Sequence, residues 1–140
     1  MTSILHAGAT PVFADADADT LCLDPASVER AITTRTRAIV VVHVFGRPAP
    51  MREIERIAAR RGLLVVEDAC EAFGAEIGGR KAGTLGDLGV YAFYPNKQIT
   101  TAEGGVVVAR RHEIAERVRR LRNQGRDPSA GWLGNVELGY

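Results

Sequence analysis

Lysine is scarce in this sequence: Lys81 and Lys97 stand against sixteen arginines. Arginine stays charged and cannot replace lysine where a neutral amine is needed, so each lysine is a candidate for chemistry. Cysteine is scarce too. Cys22 and Cys70, in a chain with no secretory pattern, read as free thiols of a reducing compartment, and a disulfide between them is the weaker reading. Excess charge of one sign is missing, with a formal net charge of +1. Nucleic acid or an anionic membrane is therefore not expected as the main partner. Long apolar runs are also missing. The longest, Ala38 to Val42, is far shorter than the roughly 20 residues that cross a bilayer. Met1 to Ala9 has no basic start leading into an apolar stretch, so no signal peptide is read there and a cytoplasmic location is expected. No histidine, cysteine or acid falls at metal-ligand spacing, and a zinc site is not expected.

What is present suits one globular domain. A chain of 140 residues, 46% hydrophobic, can bury a core without covalent staples. Pro11 to Ala14 reads as a short strand and Asp15 to Asp19 as an acidic loop. Asp24 is placed as an N-cap with Pro25 at the first helical position. Ile39 to Val42 is a buried strand, closed by Gly46 and Pro48. A helix follows from Ala49 to Arg61, with Met51, Ile54, Ile57 and Ala58 on one face and Gly62 as its stop. Leu63 to Val66 is a second strand that runs into Glu67 and Asp68. Continuous apolar strands alternating with helices argue for an α/β fold, a mostly parallel sheet covered on both faces to make three layers. Glycines at 74, 78, 79, 83 and 86 indicate turns and a small hairpin. Leu88 to Tyr94 and Gly104 to Ala109 are further strands, and a last helix spans Arg111 to Asn123 with Ile114, Val118 and Leu121 inward. Trp132 and Tyr140 are isolated anchors near the end; His6 and His112 are structural or exposed.

Ligands of open α/β sheets bind at the carboxyl ends of the strands. Asp68 sits at such an end, although an N-cap would explain it as well. Lys97 lies in Tyr94-Pro95-Asn96-Lys97-Gln98, after another strand; the plain alternative is an exposed loop lysine. His43 ends the Ile39 to Val42 strand and either lines the same crevice or is a hydrogen-bonded, partly buried ring. An acid and a lysine at neighbouring strand ends suit pyridoxal phosphate (PLP). That cofactor needs an amine for its aldehyde and an acid for its pyridine nitrogen.

The segments Val65 to Ala75 (VVEDACEAFGA) and Gly86 to Gln98 (GDLGVYAFYPNKQ) resemble the DegT/DnrJ/StrS aminotransferase family, as do Ala7 to Phe13, His43 to Gly46 and Leu121 to Gly125. The resemblance implies the large-domain fold of the fold-type I PLP enzymes, with one antiparallel strand. By the same resemblance Lys97 matches the Schiff-base lysine, Asp68 the acid on the pyridine nitrogen, and Glu71 a position often held by glutamine near the ring hydroxyl. It further implies a nucleotide-linked keto sugar as substrate, glutamate or glutamine as amino donor, and a homodimer. Members begin before Met1 and continue past Tyr140 into a smaller domain, so residues 1–140 are expected to be part of a large domain, inactive alone.

Three positions depart from the family. Ala92 stands where many members carry a phosphate-binding serine. Glu71 is an acid near a phenolate, so it should be protonated or turned away. Ala102 replaces a glycine, a mild change unless the backbone there is left-handed. Two alternatives stay open. One is a PLP-dependent sugar dehydratase; such relatives tend to lack the lysine, and Lys97 speaks against it. The other is a non-catalytic binding or regulatory domain of the same fold.

Overall fold

The computed structural model describes residues 1–131 and 134–140; Trp132, one of the two expected anchors, lies outside the described residues. A short helix α1 (Thr2–His6) leads into irregular chain. The strand expected over Pro11 to Ala14 does not form. Val12 and Phe13 are exposed, and the nearest pairing is a single bridge between Ala16 and Leu23. A strand needs a neighbour for its N–H and C=O groups, and among the described residues none lies beside this segment.

Helix α2 (Pro25–Ala31) begins as its sequence indicates, with the Asp24 carboxylate accepting from the N–H groups of Ala26 and Ser27. Strand β1 (Ala38–Val42) follows. Helix α3 (Met51–Arg61) buries Met51, Ile54, Ile57 and Ala58 and stops at Gly62, whose φ of 64° is left-handed and open to glycine without strain. Strand β2 (Leu64–Asp68) runs parallel to β1. The glycine-rich stretch forms the expected hairpin, β3 (Glu76–Ile77) against β4 (Arg80–Lys81). Then come β5 (Leu88–Ala92), β6 (Gly105–Ala109) and α4 (His112–Leu121).

The main sheet has the order β1-β2-β5-β6. β1, β2 and β5 are parallel and β6 is antiparallel. One face is closed: Ile39, Val41 and Val65 pack with Val28, Met51, Ile54, Ile57 and Ala58 from α2 and α3. On the other face α4 brings Ile114, Val118 and Leu121 beside Leu64, so helices flank both sides and the three layers are present. That second face is only partly covered. Val40, Val42, Leu64 and Val107 are each more than two-fifths exposed. The Tyr140 ring is also exposed; its backbone, not its side chain, is tied to the end of α4, through Leu121 and Gln124. No helix is long and apolar enough to cross a membrane among the described residues.

Candidate functional site

The parallel strands bring their carboxyl ends together. Asp68, the last residue of β2, stands in register with Val42 on one side and Val90 on the other. Side chains alternate along a strand, so Glu67 and Asp68 leave β2 on opposite faces. Asp68 joins the open face. Its Oδ1 accepts the Cys70 N–H at 3.1 Å, so part of the N-cap alternative is realised as a local turn.

Cys70 reports on the surroundings of Asp68. Its thiol is pushed up to about 11, first by burial and then by the Asp68 carboxylate, which hydrogen-bonds it and opposes its negative charge. The Lys97 amine acts on the same sulfur in the opposite sense. The chain that leaves Asp68 meets the lysine directly: Lys97 Nζ lies 3.7 Å from a carboxylate oxygen of Glu71, three residues on. Lys97 follows β5 in a tight turn, its N–H donating to the Tyr94 carbonyl, and its side chain is only 19% exposed. The expectation of an exposed loop lysine does not hold. Cys22, the other cysteine, is fully buried, and both thiols are free.

Glu71 sits beside them. Its Oε1 lies 3.7 Å from the Lys97 Nζ and its Oε2 accepts the Phe45 N–H at 3.1 Å. Its backbone carbonyl accepts from the Gln98 amide at 2.5 Å. Both of its side-chain oxygens thus face donors. Ala92 ends β5 with no hydroxyl to offer. Ala102 has a φ of 67°, so the glycine-to-alanine departure falls on a left-handed residue and is not mild.

His43 does not join the crevice, and its reading as a cofactor-binding residue is corrected. It continues the alternation of Ile39 and Val41 onto the closed face and is fully buried. Its Nδ1 accepts the Ala49 N–H at 3.0 Å, so the ring proton sits on Nε2, which donates to Glu67 Oε2 at 2.9 Å. Both nitrogens are spent in the core.

Glu67 is the residue the sequence reading undervalued. Fully buried, it accepts from His43 and from the N–H groups of Gly83, Leu85 and Gly86. Burial raises its carboxyl, but the bonds from His43, Gly86, Gly83 and Leu85 outweigh burial and hold it below the ordinary carboxylate value. The loop reaches Glu67 because Gly89, its partner in register, has no side chain: a Cβ there would stand 1.8 Å from the Gly83 carbonyl. An acid followed by a glycine cluster rich in free N–H groups was the available signal.

Fold and site together define an α/β sheet protein with a lysine–carboxylate crevice at the carboxyl edge of its parallel strands. Comparison with known proteins narrows the class. The sequence profile of the DegT/DnrJ/EryC1/StrS aminotransferase family matches residues 1–140, and the chain belongs to that family. It is 46% identical over 139 residues to a GDP-perosamine synthase of Caulobacter vibrioides, covering 99% of this chain and 38% of the relative. It is 47% identical over 137 residues to the L-glutamine:2-deoxy-scyllo-inosose aminotransferase of Streptomyces paromomycinus, covering 98% of this chain and 32% of that protein. Among solved structures, an aminotransferase from Psychrobacter cryohalolentis superposes with a TM-score of 0.93 at 32% identity, over 99% of this chain and 38% of that one. The chain thus spans about two-fifths or less of the proteins it matches.

Proposed function

We propose that these residues form the cofactor-carrying core of a PLP-dependent aminotransferase. The reading rests on one observation above all: at the ends of neighbouring strands, the partly buried Lys97 amine lies 3.7 Å from the Glu71 carboxylate, three residues past Asp68. Membership of the aminotransferase family supports it.

The donor set fits the cofactor. When bound, PLP supplies an aldehyde for the amino group and a ring that accepts electron density. The amine of Lys97 would hold the cofactor at its aldehyde. Asp68 would face the pyridine nitrogen and keep its proton in place. The Lys97 Nζ would also be the group placed to hold or move a proton beside the substrate carbon. The closed face, with Glu67 and His43 in it, keeps β2 rigid under Asp68. Ala92 provides no phosphate contact, so the phosphate must be held by other groups.

The substrate in this reading is a nucleotide-linked keto sugar, and the amino donor glutamate or glutamine. The names of the relatives support both: one product carries GDP, and one enzyme uses L-glutamine on a cyclic ketone. The full-length protein is taken as a cytoplasmic homodimer. A dehydratase has less support, because it has no use for the partly buried Lys97 amine.

The experiment is direct. PLP is added to the protein, the near-visible absorbance is recorded, and borohydride is used to fix the adduct before peptide mass analysis. The adduct is expected on Lys97 and not on Lys81. Lys97→Ala should abolish it while leaving the circular dichroism spectrum intact. An adduct that persists in Lys97→Ala, or none in the parent protein, defeats the reading.

A further inference from the structure

Residue 71 is fastened at three points. One carboxylate oxygen faces the Lys97 Nζ at 3.7 Å and the other takes the Phe45 N–H at 3.1 Å. The backbone carbonyl takes the Gln98 side-chain amide, and Gly46 packs so close to that carbonyl that a Cβ would stand 3.3 Å from it. Phe45 itself is left-handed, with a φ of 52°, a conformation that costs an L-residue energy unless something holds it. Glu71 therefore ties the turn after β1 to the loop that carries the lysine.

From this we propose that Glu71 is a positioning residue for Lys97: its carboxylate anchors the Phe45 turn through one oxygen and restrains the lysine amine through the other, setting how readily that amine reaches a carbonyl carbon. The role in catalysis rests on the PLP reading above; the restraint itself does not. The carboxylate meets two donors that face different oxygens. A glutamine has one acceptor oxygen and one donor nitrogen. Because the two donors face different atoms here, a glutamine that kept the Phe45 N–H would turn its NH₂ toward the Lys97 amine. A carboxylate accepts at both positions. The amine must leave this pair before it reaches a carbonyl carbon.

The lysine inventory makes the test clean. Formaldehyde with cyanoborohydride methylates amines through a carbonyl carbon, and the sequence has two lysines, Lys81 and Lys97. Lys81 is ion-paired with Glu76 and serves as an internal control. Rates at each lysine are read by peptide mass spectrometry for the parent protein and for Glu71→Gln, at low and high sodium chloride. In the parent protein, salt should raise the Lys97 rate, because it screens a partly exposed ion pair. Glu71→Gln should raise that rate about two- to fivefold at low salt, the range expected of such a pair. It should also weaken the salt response at Lys97, the remainder coming from Asp68, and leave that of Lys81 unchanged. A purely structural role for Glu71 would produce no such selective loss of salt dependence.

Equal Lys97 rates in the parent and Glu71→Gln, or a parent rate at Lys97 that ignores salt, overturns the proposal. Should Glu71→Gln fail to fold, the salt response of the parent decides alone. Formaldehyde has neither pyridine nor phosphate, so failure of the PLP experiment sinks the functional reading without touching this one, and the reverse also holds.

Discussion

Glu67 and Asp68 are neighbours on one strand, carry the same functional group, and lead opposite lives. Glu67 is sealed in the closed face and accepts four hydrogen bonds. Asp68 is half-buried on the open face and takes a backbone N–H two residues on. A buried carboxylate is tolerable only when its lone pairs are met, so Glu67 is committed to the fold. Asp68 keeps capacity in hand for a ligand. The pleat of β2 alone separates the two roles. Acid residues near a strand end therefore cannot be ranked by chemistry; the face they leave from decides.

The largest expected effect comes from removing the committed acid. Glu67→Ala leaves the His43 N–H and three backbone donors without an acceptor and should cost about 3–5 kcal/mol in denaturant unfolding. Asp68→Ala loses only its local contacts with Cys70 and should cost about 1 kcal/mol. If the two cost the same, the division of labour is wrong. Acidity sharpens the contrast. The Glu67 carboxyl is held below its ordinary value, so its contribution to stability is complete at neutral pH. That contribution is lost as pH falls through the ordinary carboxylate range and on past the lowered native value. The stability gap between the parent and Glu67→Gln, followed by unfolding midpoints, should narrow as pH falls; a constant gap would mean Glu67 is not ionised in the native state.

The two faces can be compared through apolar residues as well. Val41 is fully buried and Val42, the next residue, is two-fifths exposed. Val41→Ala should cost about 2 kcal/mol and Val42→Ala less than about 0.5. A Val42 penalty near that of Val41 would show that the open face is covered in solution.

Much of this was legible beforehand. The periodic apolar residues of α3, the Gly62 stop, the Asp24-Pro25 start of α2, the glycine-rich hairpin and the succession of elements from β1 to α4 follow from local rules that tertiary context did not override. The places of Asp68 and Lys97 at or after strand ends were also legible, because a polar residue after a continuous apolar run marks a strand end. The side each residue faces was harder to read. Ile39 to Val42 is apolar at every position, so it carries no phase, and the direction of His43 could not be taken from it. The phase appears only when α2 and α3 settle on Ile39 and Val41. Pro11 to Ala14 failed for a related reason: a strand is a property of a pair, and its pairing partner is not among the described residues.

The site side of the comparison can be probed through Cys70. Its thiol stands near 11, so alkylation at pH 8 should be slow. Asp68→Asn removes the charge that opposes the thiolate and leaves Lys97 in place. Each unit by which the thiol falls should raise the thiolate fraction about tenfold, measured as the iodoacetamide rate at residue 70. Cys22, fully buried with its thiol donating to the Arg47 carbonyl, should stay unreactive in both proteins. No change at Cys70 would separate Asp68 from the sulfur and, with it, from Lys97.

The smallest effect concerns the loop that returns from Lys97 to β6. Ala102 is left-handed, and its neighbours hold it there: its N–H donates to the Thr100 hydroxyl, while the Thr101 N–H donates to the Phe93 carbonyl. A left-handed alanine costs roughly 1–2 kcal/mol. Glycine removes that cost but loses about 0.5–1 kcal/mol of chain entropy on folding. Ala102→Gly should therefore stabilise by about 0.5 kcal/mol, seen as a small rise in the denaturant midpoint. A fall instead would mean that the loop leaves the left-handed conformation in solution, and that the strain near Lys97 is confined to Phe45 on the far side of the crevice.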